Sequence, residues 1–200
     1  MKKIFLLATA LLSFIFSNGI LAQTSKSPTD YLSVAGPIVF EGSSYKLTWS
    51  SHPDNSYYKQ EYLPAGEAPE KYKSMILLEI ALTEVSIKEV VGGKIAELKA
   101  MKASNPIVNY EMFQKDGEYI VDFVLSGNSS DGKLSIVERN VYRYKAFKDK
   151  SGKPGVLLFA ISTRAYGTEA NKFLQALKAN KSRYVNAIAK FNIPQISIKN

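Results

Sequence analysis

The sequence predicts an α/β (α+β) domain built on a single mostly antiparallel β-sheet that is flanked by helices. Two observations lead to this fold class. Many segments between residues 38 and 166 alternate apolar and polar residues with the period of two that strands require. Two longer segments, near residues 86–104 and 168–193, instead repeat apolar residues at helical spacing. Runs of strands interrupted by only a few helices favour one sheet with helices packed on it.

The first half of the domain is predicted to contain four strands and one short helix. Tyr45, Leu47 and Trp49 occupy alternate positions, which predicts that their side chains share one face of a strand. Pro64 stops the third strand, and Pro69 fits the first turn of a helix of two turns, where its missing N–H is not needed. The predicted strands are residues 38–40, 45–49, 57–63 and 76–83.

A long helix is predicted to begin at Ser86. Ser86 and Glu89 have the spacing of a capping box, in which each side chain satisfies a free backbone N–H group. Gly92 and Gly93 lie inside the helix, where each costs about 1 kcal/mol relative to alanine, so they suggest a close approach to the sheet. Asn105 is expected to end it. The apolar stripe consists of Ile87, Val90, Val91, Ile95, Leu98 and Met101.

The second half is predicted to contain four strands and a closing helix. Asp116-Gly117 favours a tight hairpin, and residues 134–147 form a long strand. Residues 156–165 are almost continuously apolar, which is typical of a central strand. Thr168 is expected to cap a closing helix that ends before Pro194. The predicted buried stripe of that helix is Phe173, Leu174, Leu177, Tyr184, Ile188 and Phe191.

The N-terminal residues predict export. Residues 1–22 combine a positive start with an uncharged apolar run and a small residue, Ala22, before the expected cleavage point, as secretory signal peptides do. The apolar run is too short to span a bilayer, so no transmembrane anchor is expected after cleavage. We interpret residues 23–36 as a linker, 37–193 as a single domain and 194–200 as a C-terminal tail. The predicted location is the periplasm or the medium of a bacterium.

Composition excludes several kinds of protein. The chain has no cysteine, so lipid attachment at the cleavage site, disulfides and thiolate chemistry are excluded. With 26 Lys and Arg against 18 Asp and Glu, the net charge of +8 favours an anionic surface or an acidic protein as partner. An exported chain without a nucleic-acid-binding motif is not expected to bind nucleic acid. No cofactor is expected, because no glycine-rich phosphate loop or dinucleotide fingerprint is present.

One stretch resembles a known family. Residues 57–63 (YYKQEYL), the turn at 64–67 (PAGE) and the segment through Tyr72 and Met75 into residues 76–78 are similar to the corresponding stretch of PsbP-like proteins. The order of elements between about residues 38 and 192 also resembles their α/β/α sandwich. Because PsbP itself is an accessory subunit of photosystem II and this export signal looks bacterial, the resemblance implies the fold and an accessory or binding role.

Few residues could carry catalysis. His52 is the single histidine and lies in a predicted loop, where a solvated side chain is expected, and a zinc site would need several His or Cys residues. Ser43-Ser44-Tyr45-Lys46 imitates the first element of serine β-lactamases, but in that family the nucleophile opens a helix, whereas this segment alternates as a strand. A carboxylate pair remains open as an alternative. Its candidate members are Glu61, Glu67, Glu79 and Asp122.

Two sets of residues are candidate binding sites. Arg139, Arg143 and Lys145 share one face of the long strand by the period of two. Buried like charges are costly without partners, so this face is expected to be open to water or covered by an acidic molecule. Protection of an outer strand against aggregation is the alternative reading. Tyr57 and Tyr58 are adjacent on one strand and must point to opposite faces.

The sequence therefore favours an exported, non-catalytic binding or accessory protein that contacts an anionic or protein partner. A carboxylate-dependent hydrolase acting on a glycan is one alternative. An immunity or inhibitor protein that neutralises a secreted toxin is another.

Overall fold

A computed structural model describes residues 27–199, and within them it contains eight strands and three helices. The strands are β1 Ile38–Phe40, β2 Ser43–Asp54, β3 Tyr57–Leu63, β4 Ser74–Leu82, β5 Asn109–Lys115, β6 Glu118–Asn128, β7 Leu134–Lys148 and β8 Pro154–Tyr166. The helices are α1 Ile87–Ser104, α2 Glu169–Ala179 and α3 Lys181–Lys190.

All eight strands form one sheet in the order β1-β2-β3-β4-β8-β7-β6-β5, and every neighbouring pair is antiparallel. The sheet is made of two four-stranded meanders that meet where β4 pairs with β8. α1 carries the chain from β4 to the far edge, where β5 begins. The predicted single antiparallel sheet flanked by helices is confirmed, as is the central position of β8.

Helices pack on both faces of this sheet. α1 contacts β5, β6 and β7, and we call that side the α1 face. α3 contacts β6, β7 and β8 on the opposite side, which we call the α3 face. The α1 face buries, among others, Leu77, Tyr119, Val121, Phe123, Tyr142, Tyr144 and Leu158. The α3 face buries, among others, Ile76, Leu78, Ile80, Val141, Phe159 and Ile161.

Two local predictions about turns and caps are confirmed. The Ser86 hydroxyl accepts the N–H of Glu89, and the Glu89 carboxylate accepts the N–H of Ser86, which completes the capping box of α1. Asp116 and Gly117 have φ angles of 52° and 78° in the β5–β6 hairpin. Asp116 lies in the left-handed region that few residues other than Gly, Asn and Asp enter readily.

The predicted close approach of α1 at its glycines is wrong. A Cβ atom built on Gly92 or Gly93 would meet nothing within 4 Å, and both residues are exposed. Val91 and Leu98 hold the helix on the sheet instead. The glycines therefore weaken the helix without a packing reason that the structure shows.

The short helix predicted after Pro69 is absent from this described part of the chain, where residues 68 and 71 form an isolated bridge. The carboxylate of Glu67 accepts the N–H groups of Lys73 and Ser74 at 2.7 and 3.2 Å. These hydrogen bonds satisfy backbone N–H groups of the segment without a helical turn. Pro69 alone was therefore not enough to predict a helix.

The closing helix is divided into α2 and α3 by Asn180, whose φ and ψ are −117° and 26°. Thr168 has helical angles and makes no side-chain cap, so the predicted cap is wrong. Ile188 is fully buried, whereas Phe173 and Leu177 on α2 are only partly buried. Asparagine competes with the backbone for hydrogen bonds, which favours a helix end at this position.

The two ends of the described chain lie side by side on the α3 face. Leu32 and Val34 belong to the core there, and Ile196 and Ile198 pack against it. The N–H of Ser197 donates to the carbonyl of Leu32 at 3.0 Å. The linker predicted at residues 23–36 and the tail predicted at 194–200 are therefore packed parts of the domain wherever they are described. The signal peptide predicted at residues 1–22 lies outside the described residues and stays a prediction.

No helix among residues 27–199 is long and apolar enough to cross a membrane.

Candidate functional site

Of the basic residues predicted to form an open binding face, Arg139 and Arg143 are buried, and Lys145 is partly exposed. Arg139 is only 3 % exposed and lies under α3. Its Nε and Nη2 atoms donate to the two carboxylate oxygens of Asp122, each at 2.9 Å, and Nη2 also donates to the carbonyl of Lys181. A bidentate pair of this kind is the strongest geometry for a guanidinium and a carboxylate. Arg139 therefore anchors α3 to the sheet and presents no charge to solvent.

Arg143 serves the same purpose at the other end of α3. Its Nη1 atom donates to the carbonyls of Ile188 and Phe191 at 2.8 and 2.9 Å, where the end of a helix carries partial negative charge. Its Nε atom donates to Glu118 at 2.7 Å, and Lys145 reaches the same carboxyl at 2.6 Å. Although burial raises the pKa of Glu118, the hydrogen bonds from Arg143 and Lys145 hold it below its usual value.

The prediction that this face is open was wrong because strand alternation identifies which side chains share a face, not what covers it. The cover is supplied by α3 and by carboxylates from β6. Arg143 and Lys145 do line a hollow of about 320 Å³ beside Phe191 and Ile196. Both cations are already held there by Glu118.

Tyr57 and Tyr58 point to opposite faces, as predicted. Tyr58 is buried on the α3 face, where its ring stacks on His52 with centroids 4.1 Å apart. His52 also lies beside the ring of Tyr31, so the single histidine is part of an aromatic stack. The Tyr57 hydroxyl donates to Glu79 on the α1 face at 2.9 Å. Only Tyr57 is placed where it can contact a ligand on the α1 face.

Around Tyr57 the α1 face carries a cluster that we call the Glu79 patch: Trp49, Tyr57, Lys59, Glu61 and Glu79. β-pairing brings it together, because Trp49 lies opposite Glu61 and Lys59 lies opposite Glu79. α1 contacts the strands at the other end of the sheet, β5 to β7, and Trp49 on β2 is 41 % exposed. The patch is thus a partly open surface on three neighbouring strands.

The position of Trp49 differs from the sequence prediction. Tyr45 and Leu47 pack on the α3 face, but the pairing register shifts between Leu47 and Trp49. This β-bulge at Thr48 turns Trp49 to the opposite face. Strict alternation along a strand does not account for a bulged residue. The prediction that Trp49 shares a face with Tyr45 and Leu47 was therefore wrong.

Lys59 is the centre of the patch. Its Nζ atom lies 2.9 Å from a Glu61 oxygen, 3.8 Å from a Glu79 oxygen and 5.7 Å from the centre of the Trp49 ring. Burial would lower the pKa of Lys59, but the neighbouring Glu79 and Glu61 carboxylates raise it above its usual value. Lys59 is therefore held in its charged form between two acids and an aromatic face.

Glu79 is the most perturbed carboxyl of the patch. Burial raises its pKa, while the charge of Lys59 and the hydrogen bond from Tyr57 act in the opposite direction. The result is a pKa above the usual value of 4.5. Perturbed carboxyls of this kind are common at functional sites, although structural ion pairs produce them too.

A second polar cluster continues the same face on β7 and β8. Glu138 accepts from the Tyr72 hydroxyl at 2.7 Å, from Asn140 at 2.9 Å and from Arg164. The Arg164 guanidinium lies 4.1 Å from the centre of the Tyr72 ring. In the described chain no buried side-chain polar atom lacks a hydrogen-bond partner. Glu138 therefore links Tyr72 to side chains on β7 and β8.

The carboxylates considered for catalysis are not brought together as one site. Glu79 is on the α1 face, whereas Asp122 is paired with Arg139 under α3. Glu61 and Glu79 do converge, but the Lys59 ammonium lies within 4 Å of both. Ser43 to Lys46 lies on β2 and does not open a helix. Residues 27–199 contain no group of three or more side chains arranged to hold a metal ion.

The patch could have been found partly from sequence. Tyr57, Lys59 and Glu61 alternate along one strand, which places them on one face by the period of two. The missing information was which strand lies next to β3 and in which register. That pairing alone adds Trp49 and Glu79 to the cluster.

The raised pKa of Glu79 predicts a specific pH dependence of stability. Because the folded protein binds the Glu79 proton more tightly than the unfolded chain does, the contribution of Glu79 to stability is full below pH 4.5 and is lost as the pH rises through its folded pKa. Glu79→Gln should therefore gain stability relative to the wild type as the pH increases from 4 to 8. Urea unfolding at several pH values measures this difference.

Glu89→Gln is the matched control with the opposite sign. Hydrogen bonds that Ser86 donates to the Glu89 carboxylate lower the pKa of Glu89, so its contribution to stability is present above pH 4.5 and is lost on acidification. This variant should lose stability relative to the wild type as the pH rises. Parallel curves for Glu79→Gln and the wild type would contradict the placement of Glu79.

Comparison with known proteins gives one match. No curated protein and no solved structure matches the chain. A family model does match residues 32–193, a span that contains all eight strands, all three helices and every residue of the Glu79 patch. Since this span is more than half of the chain, the protein belongs to that family, whose function is unknown.

Proposed function

We propose that the chain is an exported, non-catalytic binding or accessory protein whose Glu79 patch contacts a protein partner. The observation that carries the proposal is the exposure of Trp49, the only tryptophan of the chain, beside Tyr57 and the charged residues. Tryptophan is strongly buried on average, and Trp, Tyr and Arg are the residues most enriched among those that dominate protein interfaces.

The chemistry of the patch supports binding over catalysis. Each charged group in it already has an oppositely charged neighbour, so the patch contains no free nucleophile beside a base. The side chains stand on three paired strands, which hold them in place before a partner arrives. Such preorganisation reduces the entropy lost on binding. The resemblance to PsbP-like proteins and the predicted signal peptide are the sequence features that favour an exported accessory protein.

A photo-cross-linking amino acid at position 49 tests the proposal in the producing bacterium. We expect p-benzoylphenylalanine in place of Trp49 to give a discrete adduct with a protein. The control is the same amino acid at Val39, which is 61 % exposed on β1. Lys59→Glu combined with p-benzoylphenylalanine at position 49 should remove the adduct, because it places a third negative charge between Glu61 and Glu79. No adduct at position 49, or the same adduct at position 39, would contradict the proposal.

A hydrolase that acts on a glycan is the second candidate, favoured by one observation. A carboxyl with a raised pKa, Glu79, lies near a second carboxyl, Glu61, as an acid and its partner do in glycosidases. Activity on a panel of bacterial glycans that disappears in Glu79→Gln would establish it and exclude the non-catalytic proposal.

A further inference from the structure

The two edges of the sheet are different. At one edge β1 has only three residues, and short edge strands are a common protection against unwanted pairing. At the other edge β5 has seven residues that pair with β6 in an unbroken register. The outer side of β5 therefore offers a regular row of backbone N–H and C=O groups.

β5 also exposes two large apolar side chains at adjacent positions. Met112 is 50 % exposed and Phe113 is 42 % exposed. They point to opposite faces, because Met112 pairs with Val121 on the α1 face and Phe113 pairs with Ile120 on the α3 face. A long edge strand with exposed apolar residues on both faces is a typical site for the addition of another strand.

The charges around Phe113 make β5 complementary to itself. Glu111 and Lys115 lie two residues before and two residues after Phe113, so all three point to the same face. In an antiparallel pair centred on Phe113, Glu111 of each strand lies opposite Lys115 of the other, while Glu111 also contacts Lys181 on α3 of its own chain. Opposite charges in directly opposed positions stabilise a strand pair, whereas like charges destabilise it.

We propose that β5 pairs in antiparallel fashion with β5 of a second copy of this chain, with Phe113 on the two-fold axis. The result is a homodimer in which the sheet continues from one copy into the other. A two-fold interface requires a self-complementary surface, and the Glu111–Phe113–Lys115 row meets that requirement. The proposal rests on β5 alone and does not depend on the Glu79 patch.

Cysteine cross-linking tests the register, since the chain has no cysteine of its own. Phe113→Cys should give a disulfide-linked dimer under mild oxidation, because directly opposed Cβ atoms are about 4.5–5.5 Å apart. Met112→Cys is the register control: in this pairing Met112 is diagonal to its own copy, at about 7–8 Å, and should link far more slowly. Val39→Cys on β1 controls for random collision.

A charge swap tests the chemistry. Glu111→Lys alone or Lys115→Glu alone places like charges opposite each other and should weaken the dimer about tenfold or more in low salt. The double variant Glu111→Lys/Lys115→Glu restores opposite charges and should recover the dimer. Sedimentation velocity over a range of protein concentrations measures the dissociation constant.

A monomer at every concentration, together with equal cross-linking of Phe113→Cys and Val39→Cys, would overturn the proposal. A dimer whose cross-linking is faster at position 112 than at 113 would overturn the register. A dimer that the double variant fails to restore would overturn the role of Glu111 and Lys115.

Discussion

Replacement of Asp122 by alanine is expected to lower the free energy of unfolding by about 3–5 kcal/mol, the range seen when one partner of a buried ion pair is removed. Asp122 and Arg139 are both buried and are joined by two hydrogen bonds of 2.9 Å. Without the carboxylate, the Arg139 guanidinium keeps its charge in a site closed by α3 and has no opposite charge there. Guanidinium chloride unfolding followed by circular dichroism measures the loss.

Two further variants separate the buried charge from other causes. The double variant Asp122→Leu/Arg139→Met removes both charges and should recover most of the lost stability, because apolar replacement of a whole buried pair is often close to neutral. Lys172→Ala breaks the exposed pair of Lys172 with Glu169 and should change the free energy by less than about 0.5 kcal/mol. If Asp122→Ala also changes it by less than that, α3 is not docked as described.

Replacement of Leu32 by alanine is expected to cost about 2–5 kcal/mol, the usual range for a leucine in a packed core. Leu32 is fully buried on the α3 face. Its N–H donates to the Gln60 side chain at 2.9 Å, and its carbonyl accepts from Ser197 at 3.0 Å. Because these bonds hold the Leu32 backbone in place, shortening its buried side chain leaves a cavity. Thermal and denaturant unfolding of the variant measure the cost.

Leu177→Ala is the matched control, since it is the same substitution at a leucine that is only partly buried on α2. Leu177→Ala should lower the free energy of unfolding by clearly less than Leu32→Ala, because the loss scales with the apolar area that the side chain buries. Equal costs at the two positions would contradict the packing of the N-terminal segment. A cost at Leu32 below about half a kcal/mol would show that the segment is a linker after all.

Much of the fold was predictable because local rules govern it. The capping box at Ser86, the Asp116-Gly117 hairpin and the alternation of β4 each depend on residues close together in the chain. The failures have different causes. The helix after Pro69 is absent because the Glu67 carboxylate accepts the N–H groups of Lys73 and Ser74. The closing helix is interrupted at Asn180, a residue that favours helix ends.

From the sequence alone follow one antiparallel sheet with helices, the absence of cysteine chemistry, and the side chains that share a face wherever a strand is regular. Which faces are covered depends on how the helices and strands pack together. α3 turned the expected open row of Arg139 and Arg143 into buried anchors, and a bulge at Thr48 moved Trp49 from the core side to the surface. The physical reason is that periodicity fixes directions within an element, whereas burial and charge pairing depend on the elements that pack against it.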